Sequence, residues 1–412
     1  MDFDTEIQMA LDLDQLTSHL RDQLVSDPYP IYAEMRRLNQ PLFVPHHPAD
    51  TNKAPGKWLL STYAQAQFIL NDTVHFTKNN AASRTRGPEP GFDASMLFQD
   101  EPEHRRLRSL VEDLFRRTAI NRYAEVVSGN AKLLLAEHEC GDTLDLVQAF
   151  AEPLPLLTIT ELLGIPKTKM PILRRLSRAI TSATDDLTVT ESTYATKAAA
   201  YKDLGVLMQA GLNGEWEPPQ DSLLLRLRNL TNDSTLRQDQ AIAMLTLLLF
   251  AGHETTIALI GSCLYLLFAH PEQRRLLQAN PDLLTGAIEE SLRFESPLQR
   301  STFRMTLSDI AIEGHHFGPG EQVSAILGSA NRDEKIFSNA HSFRIDRFPN
   351  PHLAFGRGNY HCIGRHLSVL EARIAIREFL NHFGKSSLAD QPQWQPNSFV
   401  RSLQNLPFHL GA

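Results

Sequence analysis

Only three cysteines, Cys140, Cys263 and Cys362, occur in 412 residues. They are too few and odd in number for a disulfide framework, which fits a reducing cytoplasm. No two stand within CxxC spacing, so a zinc site of paired thiolates is not expected. The chain also lacks a Ser/Gly-rich linker, a low-complexity tract and an internal repeat. With nothing to divide it, one domain over residues 1–412 is expected. The N-terminus, MDFDTEIQMALDLDQL, is acidic and has neither the basic leader nor the apolar core of a signal peptide, so neither export nor a membrane anchor is expected. Long Lys/Arg runs are missing, and a net charge of −8 argues against nucleic acid as a partner.

What is present is an ordinary globular mixture, 42% hydrophobic and 21% charged. One stretch stands out, Ala241 to Ala269, AIAMLTLLLFAGHETTIALIGSCLYLLFA. It is apolar enough to be mistaken for a membrane span, but His253, Glu254, Thr255 and Thr256 stand at its centre. An acid near mid-bilayer costs roughly 2.5–3.5 kcal/mol. A helix apolar all round and buried through a soluble domain fits better.

Helical signals dominate the rest. Asp100 with Glu103 resembles a capping box before HRRLRSLVEDLFRR, and Thr235 with Gln238 caps the apolar segment. That segment runs to about Ala269, a helix of roughly 50 Å at 1.5 Å per residue. Asn280 and Pro281 open PDLLTGAIEESLRF, which stops before Pro297. The stretch SDIAIEGHHFGPGEQVSAIL alternates like a hairpin around a Gly-Pro-Gly turn. A last helix is expected from about Gly364 to Phe379. The predicted class is mainly α with a minor β portion.

Before that last helix lies FGRGNYHCIGRHL, Phe355 to Leu367. Cys362 sits beside a helix N-terminus, where unpaired N–H groups and the macrodipole favour a thiolate. Gly356, Gly358 and Gly364 let a flat or bulky group approach the backbone. The loop by itself leaves three readings open: a buried apolar cysteine, a Cys362–His361 nucleophile pair, and a single sulfur presented to one metal.

The run Phe355-Gly356-Arg357-Gly358, with Cys362, Gly364 and Leu367, resembles the haem-binding loop of the cytochrome P450 family. The resemblance implies that Cys362 is the axial thiolate of a haem b iron. The family usually carries His or Arg two residues before the cysteine as a haem propionate donor, where this chain has Tyr360. A phenol donates one hydrogen bond and brings no positive charge. Further matches arrive in the family's order. Ala251-Gly252-His253-Glu254-Thr255-Thr256 resembles the oxygen-activation segment. There the resemblance implies room for the cofactor at Ala251 and Gly252, and proton delivery to dioxygen by Thr255 and Glu254. Position 257 is isoleucine, which excludes an HExxH metal site.

Glu290 and Arg293 resemble the Glu-x-x-Arg pair, and with Arg347 of FRIDRF the resemblance implies a structural network behind the cysteine loop. His104 and Arg108, four apart on one helical face, and Arg304 match haem propionate donors. The stretches DPYPIYAEMRR, from Asp27 to Arg37, and ANRDEKIF, from Ala330 to Phe337, add looser agreement. The implied fold is that of the family, with haem between the long helix and the cysteine loop. The implied activity is a soluble, cytoplasmic haem-thiolate monooxygenase. It draws electrons from a separate ferredoxin or flavodoxin with its reductase, docking near Arg105, Arg106, His361 and Arg365. Rival readings are a peroxide-driven peroxygenase and a thiolate-haem sensor, and retention of Glu254 and Thr255 speaks against both. The family's pocket positions fall on the Phe76–Met96 loop, on Leu247, Leu248 and Ala251, and on Leu298 and Gln299. Their aliphatic character implies an apolar substrate, terpenoid, fatty acyl or polyketide. Arg84 and Arg86 are candidates for gripping a substrate carboxylate.

Overall fold

The computed structural model describes residues 18–45, 56–79, 93–182, 184–185 and 190–411. Arg84 and Arg86, with most of their loop, lie outside the described residues. The fold is built around the apolar stretch: α3 (Gln238–Ala269) follows α1 (Glu103–Ser109) and α2 (Pro153–Leu163), and is followed by α4 (Leu284–Phe294) and α5 (Arg365–Phe383). Helix α3 packs against both α2 and α5. Leu245, Leu249, Ile260, Leu264 and Leu267 are fully buried along it, each stabilising by about 1.5–3 kcal/mol. Its most apolar 18-residue window has a mean hydropathy of 1.6 and is 67% buried inside the fold, as a core helix should be.

The start of α3 differs from the expected one. Thr235 is not the cap. Instead Gln240 accepts the Arg237 backbone N–H through Oε1 at 3.3 Å and donates through Nε2 to Glu103 at 2.7 Å. The helix expected from Asp100 onward also breaks, into α1, a 3-10 turn at Glu112–Phe115 and a short helix at Arg117–Ile120. Leu107, Val111 and Phe115 remain buried at helical spacing through the break. Asp100 does not cap α1. Its carboxylate accepts from Thr77 Oγ1 and from the Lys78 backbone N–H.

A five-stranded mixed sheet flanks the helices. Its strands are β1 (Leu42–Pro45), β2 (Gly56–Leu60), β3 (Phe76–Thr77), β4 (Arg304–Thr306) and, after a hairpin of β5 (Ile310–Ile312) and β6 (His315–Phe317), β7 (Gln322–Ala325). The sheet order is β1-β2-β7-β4-β3, with only β2 and β7 parallel. The expected hairpin exists, but it turns at Glu313 and Gly314, whose φ values are 46° and 91°. Two adjacent positive φ values are the two-residue turn that matches strand twist. The Gly-Pro-Gly segment instead releases the chain toward β7. At the far edge, β3 and β4 pair antiparallel with Phe76 opposite Thr306 and Thr77 opposite Met305. This edge and the start of α5 meet at one cavity.

Candidate active site

A cavity of about 260 Å³ lies between α3, the start of α5 and the β3–β4 edge. Residues from eight separate places in the sequence converge on it. Helix α1 contributes His104 and Arg108, and α3 contributes Leu247, Leu248, Ala251, Gly252 and Thr255. Leu298 arrives after α4, Arg304 with β4, and Phe355, Gly356, Tyr360, His361 and Cys362 from the loop before α5.

Cys362 is positioned by its backbone N–H, which donates to the Phe355 carbonyl at 2.9 Å and closes the loop. Its side chain counts as exposed although it lies deep in the molecule, because the surface it exposes is that of the cavity it lines. Burial pushes the thiol up. The N–H groups of Gly364 and Arg365 and the charges of Arg108 and Arg365 pull it back toward the thiolate. Gly358 has φ +72°, and a Cβ there would lie 2.7 Å from the Leu70 carbonyl oxygen, so only glycine fits.

Across the cavity, Thr255 Oγ1 donates to the Ala251 carbonyl one turn back at 3.0 Å, without interrupting α3. Thr256 Oγ1 reaches the Gly252 carbonyl and Ser368 Oγ of α5, both at 3.2 Å, and so ties the two helices together. Gly252 has a second reason for its missing side chain: a Cβ would meet Ile159 Cδ1 of α2 at 2.6 Å. Glu254 is not among the lining residues. Its carboxylate stands 3.3 Å from Nε2 of buried His253, whose Nδ1 lies 2.7 Å from the Leu249 carbonyl. Burial alone would lower His253, but Glu254 and that carbonyl outweigh it and hold the imidazole above its ordinary value.

Gln299 is also turned away from the cavity. Its Nε2 donates to the Ser296 carbonyl at 2.8 Å and its side chain packs against Gly328. Glu290, Arg293 and Arg347 form a buried cluster. Arg293 grips Glu290 with two bonds of 2.7 and 2.8 Å, and Arg347 adds a contact of 3.0 Å. Arg293 also donates to the Asn331 and Ala340 carbonyls, tying α4 to the segment that leads to the cysteine loop.

His104 has both ring nitrogens against backbone carbonyls, Met96 at 2.8 Å and Asn359 at 3.1 Å, and a neutral ring can donate to only one of them. Arg108 and Arg304 face the cavity with no carboxylate at ion-pair distance among the described residues. Burial lowers Arg304 to about 10. A third cation, Lys78, lines the same wall and was not singled out in the sequence. Nothing in FTKN marks it, because its place depends on the β3–β4 register. A lone thiol at a helix start, a hydroxyl-bearing helix opposite and cations without an ion-pair partner among the described residues, all lining one cavity, make up the donor set that a haem, with its iron and two carboxylates, requires. The residues fit the group.

That class agrees with the known proteins the chain resembles. A family model described as Cytochrome P450 matches residues 209–408. The cytochrome P450 monooxygenase PikC of Streptomyces venezuelae is 33% identical over 94% of this chain and 92% of its own length. The biotin biosynthesis cytochrome P450 of Bacillus subtilis is 31% identical over 95% and 98%. Among solved structures, the myxobacterial cytochrome P450 CYP267B1 in complex with myristic acid superposes with a TM-score of 0.86 at 28% identity, covering 95% of this chain and 98% of that one. The structure of P450BioI with a hexadec-9Z-enoic acid ligated acyl carrier protein gives a TM-score of 0.83 at 30% identity over 95% and 100%. The chain belongs to the cytochrome P450 family. It is an oxygen-incorporating oxidoreductase, a monooxygenase, whose cofactor is haem b and whose co-substrate is dioxygen.

Proposed function

We propose that this P450 is a soluble, cytoplasmic enzyme that oxidises an apolar small molecule, with Cys362 holding the haem iron and a separate ferredoxin or flavodoxin supplying electrons. The observation that carries this reading is that the Cys362 thiol and the Thr255 hydroxyl line one cavity whose remaining wall is largely aliphatic. Bound haem supplies dioxygen activation at a thiolate-ligated iron. Arg108 and Arg304 offer bidentate forks to its carboxylates. Leu247, Leu248 and Leu298, with Met96, Leu97 and Phe115, exclude water and hold the substrate by apolar contact. Thr255 Oγ1, poised on the Ala251 carbonyl, passes a proton into the cavity. Glu254, held against His253, restores it.

Fatty acyl ligands are named for two of the relatives, myristic acid and a carrier-bound hexadecenoic acid, which supports a substrate with a long apolar portion. Exposed Arg105 and half-exposed Arg365 offer positive charge for a redox partner, although each stands beside an acid, Glu101 at 3.7 Å and Glu289 at 3.4 Å, and the Arg106 guanidinium is likewise engaged by Glu103 and Gln240. The test is an absorption spectrum of the haem-loaded protein, ferric and then reduced under carbon monoxide, while fatty acids, terpenoids and polyketide lactones are titrated into the ferric form. A strongly red-shifted Soret band and a high-spin shift with one class support the reading. A histidine-type spectrum overturns it.

A further inference from the structure

Tyr360 stands where the family resemblance implies a cationic propionate donor, and its own surroundings show which cations lie beside it. The phenol oxygen is engaged at Gln99 and Asp100. It donates to the Gln99 carbonyl at 2.8 Å and lies 3.4 Å from an Asp100 oxygen. Its ring is the meeting point of three basic side chains. The Lys78 ammonium lies 4.2 Å from the ring centroid, the Arg304 guanidinium 5.6 Å, and the His104 ring 4.2 Å. An aromatic face attracts cations and fixes their direction while leaving their N–H groups to bind something else.

Lys78 is the unexplained member. It is 3% exposed and lines the cavity, and its ammonium has no hydrogen-bond or ion-pair partner among the described residues. Asp100 does not neutralise it at contact distance, because that carboxylate is taken up by Thr77 Oγ1, the Lys78 backbone N–H and Tyr360. Burial and the neighbouring Arg304 charge both penalise the ammonium. A buried cation without an anion costs several kcal/mol, so an anion is the missing element. The strand register says where it belongs. Phe76 faces Thr306 and Thr77 faces Met305, so one step further Lys78 comes opposite Arg304. Both cations line the cavity and both lie near the Tyr360 ring.

Resting on the haem-binding reading above, we propose that Lys78 binds a haem carboxylate together with Arg304, and that Tyr360 is the aromatic platform that positions it. The charge that the cysteine loop lacks is thereby supplied from the residue following β3. Tyr360 is a positioning residue here and touches the carboxylate only through Lys78 and Arg304.

The test compares the rate at which holoprotein loses haem to excess apomyoglobin, a readout independent of turnover. Lys78→Met should lose haem about 10- to 100-fold faster, the range of one charge-assisted hydrogen bond. Lys78→Arg should retain it, and adding Tyr360→His to Lys78→Met should recover most of the loss by returning a cation to the loop. Loaded with haem dimethyl ester, wild type and Lys78→Met should behave alike. The proposal is overturned if Lys78→Met keeps natural haem as long as wild type does. It is equally overturned if the variant sheds the ester faster as well, which would mark a packing role. Unchanged haem retention with weakened binding of fatty acids would assign Lys78 to a substrate carboxylate instead. Should Lys78→Met not fold by circular dichroism, Lys78→Gln carries the same expectations. A wild-type protein without the thiolate spectrum would overturn the monooxygenase reading, while the rate comparison would still decide the role of Lys78.

Discussion

Replacing Glu290 by glutamine isolates the electrostatics of the cluster behind the cysteine loop. In the native protein one carboxylate with no exposed surface faces two guanidinium groups, Arg293 and Arg347, and also accepts from the Arg344 backbone N–H at 2.9 Å and from Asn350 at 3.2 Å. The amide is nearly isosteric but cannot be charged, and one of its ends is a donor forced against donors. Two buried cations are then left without a counter-ion. Removing one partner of such a pair costs about 3–5 kcal/mol, against a total stability of roughly 5–15 kcal/mol. Urea unfolding of haem-loaded protein should therefore show a midpoint lowered by about a fifth or more, with reduced haem content on purification. The control is Arg122→Ala, which breaks a 3.4 Å pair with highly exposed Asp221 and should cost about 0–1 kcal/mol. If Glu290→Gln unfolds within 1 kcal/mol of wild type, as the control is expected to, the cluster is not held by charge and the reasoning fails.

Cys362→Ser should abolish the red-shifted reduced carbon monoxide band while leaving circular dichroism unchanged, and survival of the band would exclude Cys362 as the ligand. Thr255→Val should divert electrons from product to hydrogen peroxide, read as several-fold less product per reductant consumed; unchanged coupling would remove Thr255 from proton delivery. Gly358→Ala forces a left-handed backbone and a contact with the Leu70 carbonyl, so it should cost about 1–2 kcal/mol or more and lower haem occupancy; full occupancy with native stability would refute the steric argument. The buried Glu152 carboxylate is raised by its burial but lowered further by Arg174 and Arg178, so its folded value lies below that of the unfolded chain. Its contribution is then present above about pH 4.3 and lost as pH falls through the folded value. The stability gap between wild type and Glu152→Gln should be full at neutral pH and close in acid, and a gap that widens in acid would contradict the sign.

The features that could be read from the residues were those with local signatures. The loop around Cys362 carries its glycines and cysteine at adjacent positions, and α3 announces itself by length and by the polar break at His253 to Thr256. The features that escaped depend on what the chain brings alongside. Lys78 acquires its place from pairing with a strand more than two hundred positions away, and Glu254 is turned from the cavity by a bond to its own neighbour. Gly252 lines the cavity, and the crowding of its other side by Ile159, on another helix, has no local signature. The fragmentation of the helix after Asp100 was likewise hidden, because Leu107, Val111 and Phe115 keep the spacing of an unbroken one.

The hydrogen bond from Thr256 to Ser368 joins the helix that carries Thr255 to the one that begins just after Cys362. Thr256 and Ser368 line the cavity too, but as polar ties between helices, and neither they nor Glu290, Arg293 or Arg347 are among the apolar side chains Leu247, Leu248 and Leu298 that the substrate would meet. The gauge of the reaction chamber and the taste of its walls are therefore written at separate positions. A lineage, or an engineer, can exchange those leucines to admit a different molecule while the distance between sulfur and hydroxyl stays as it was.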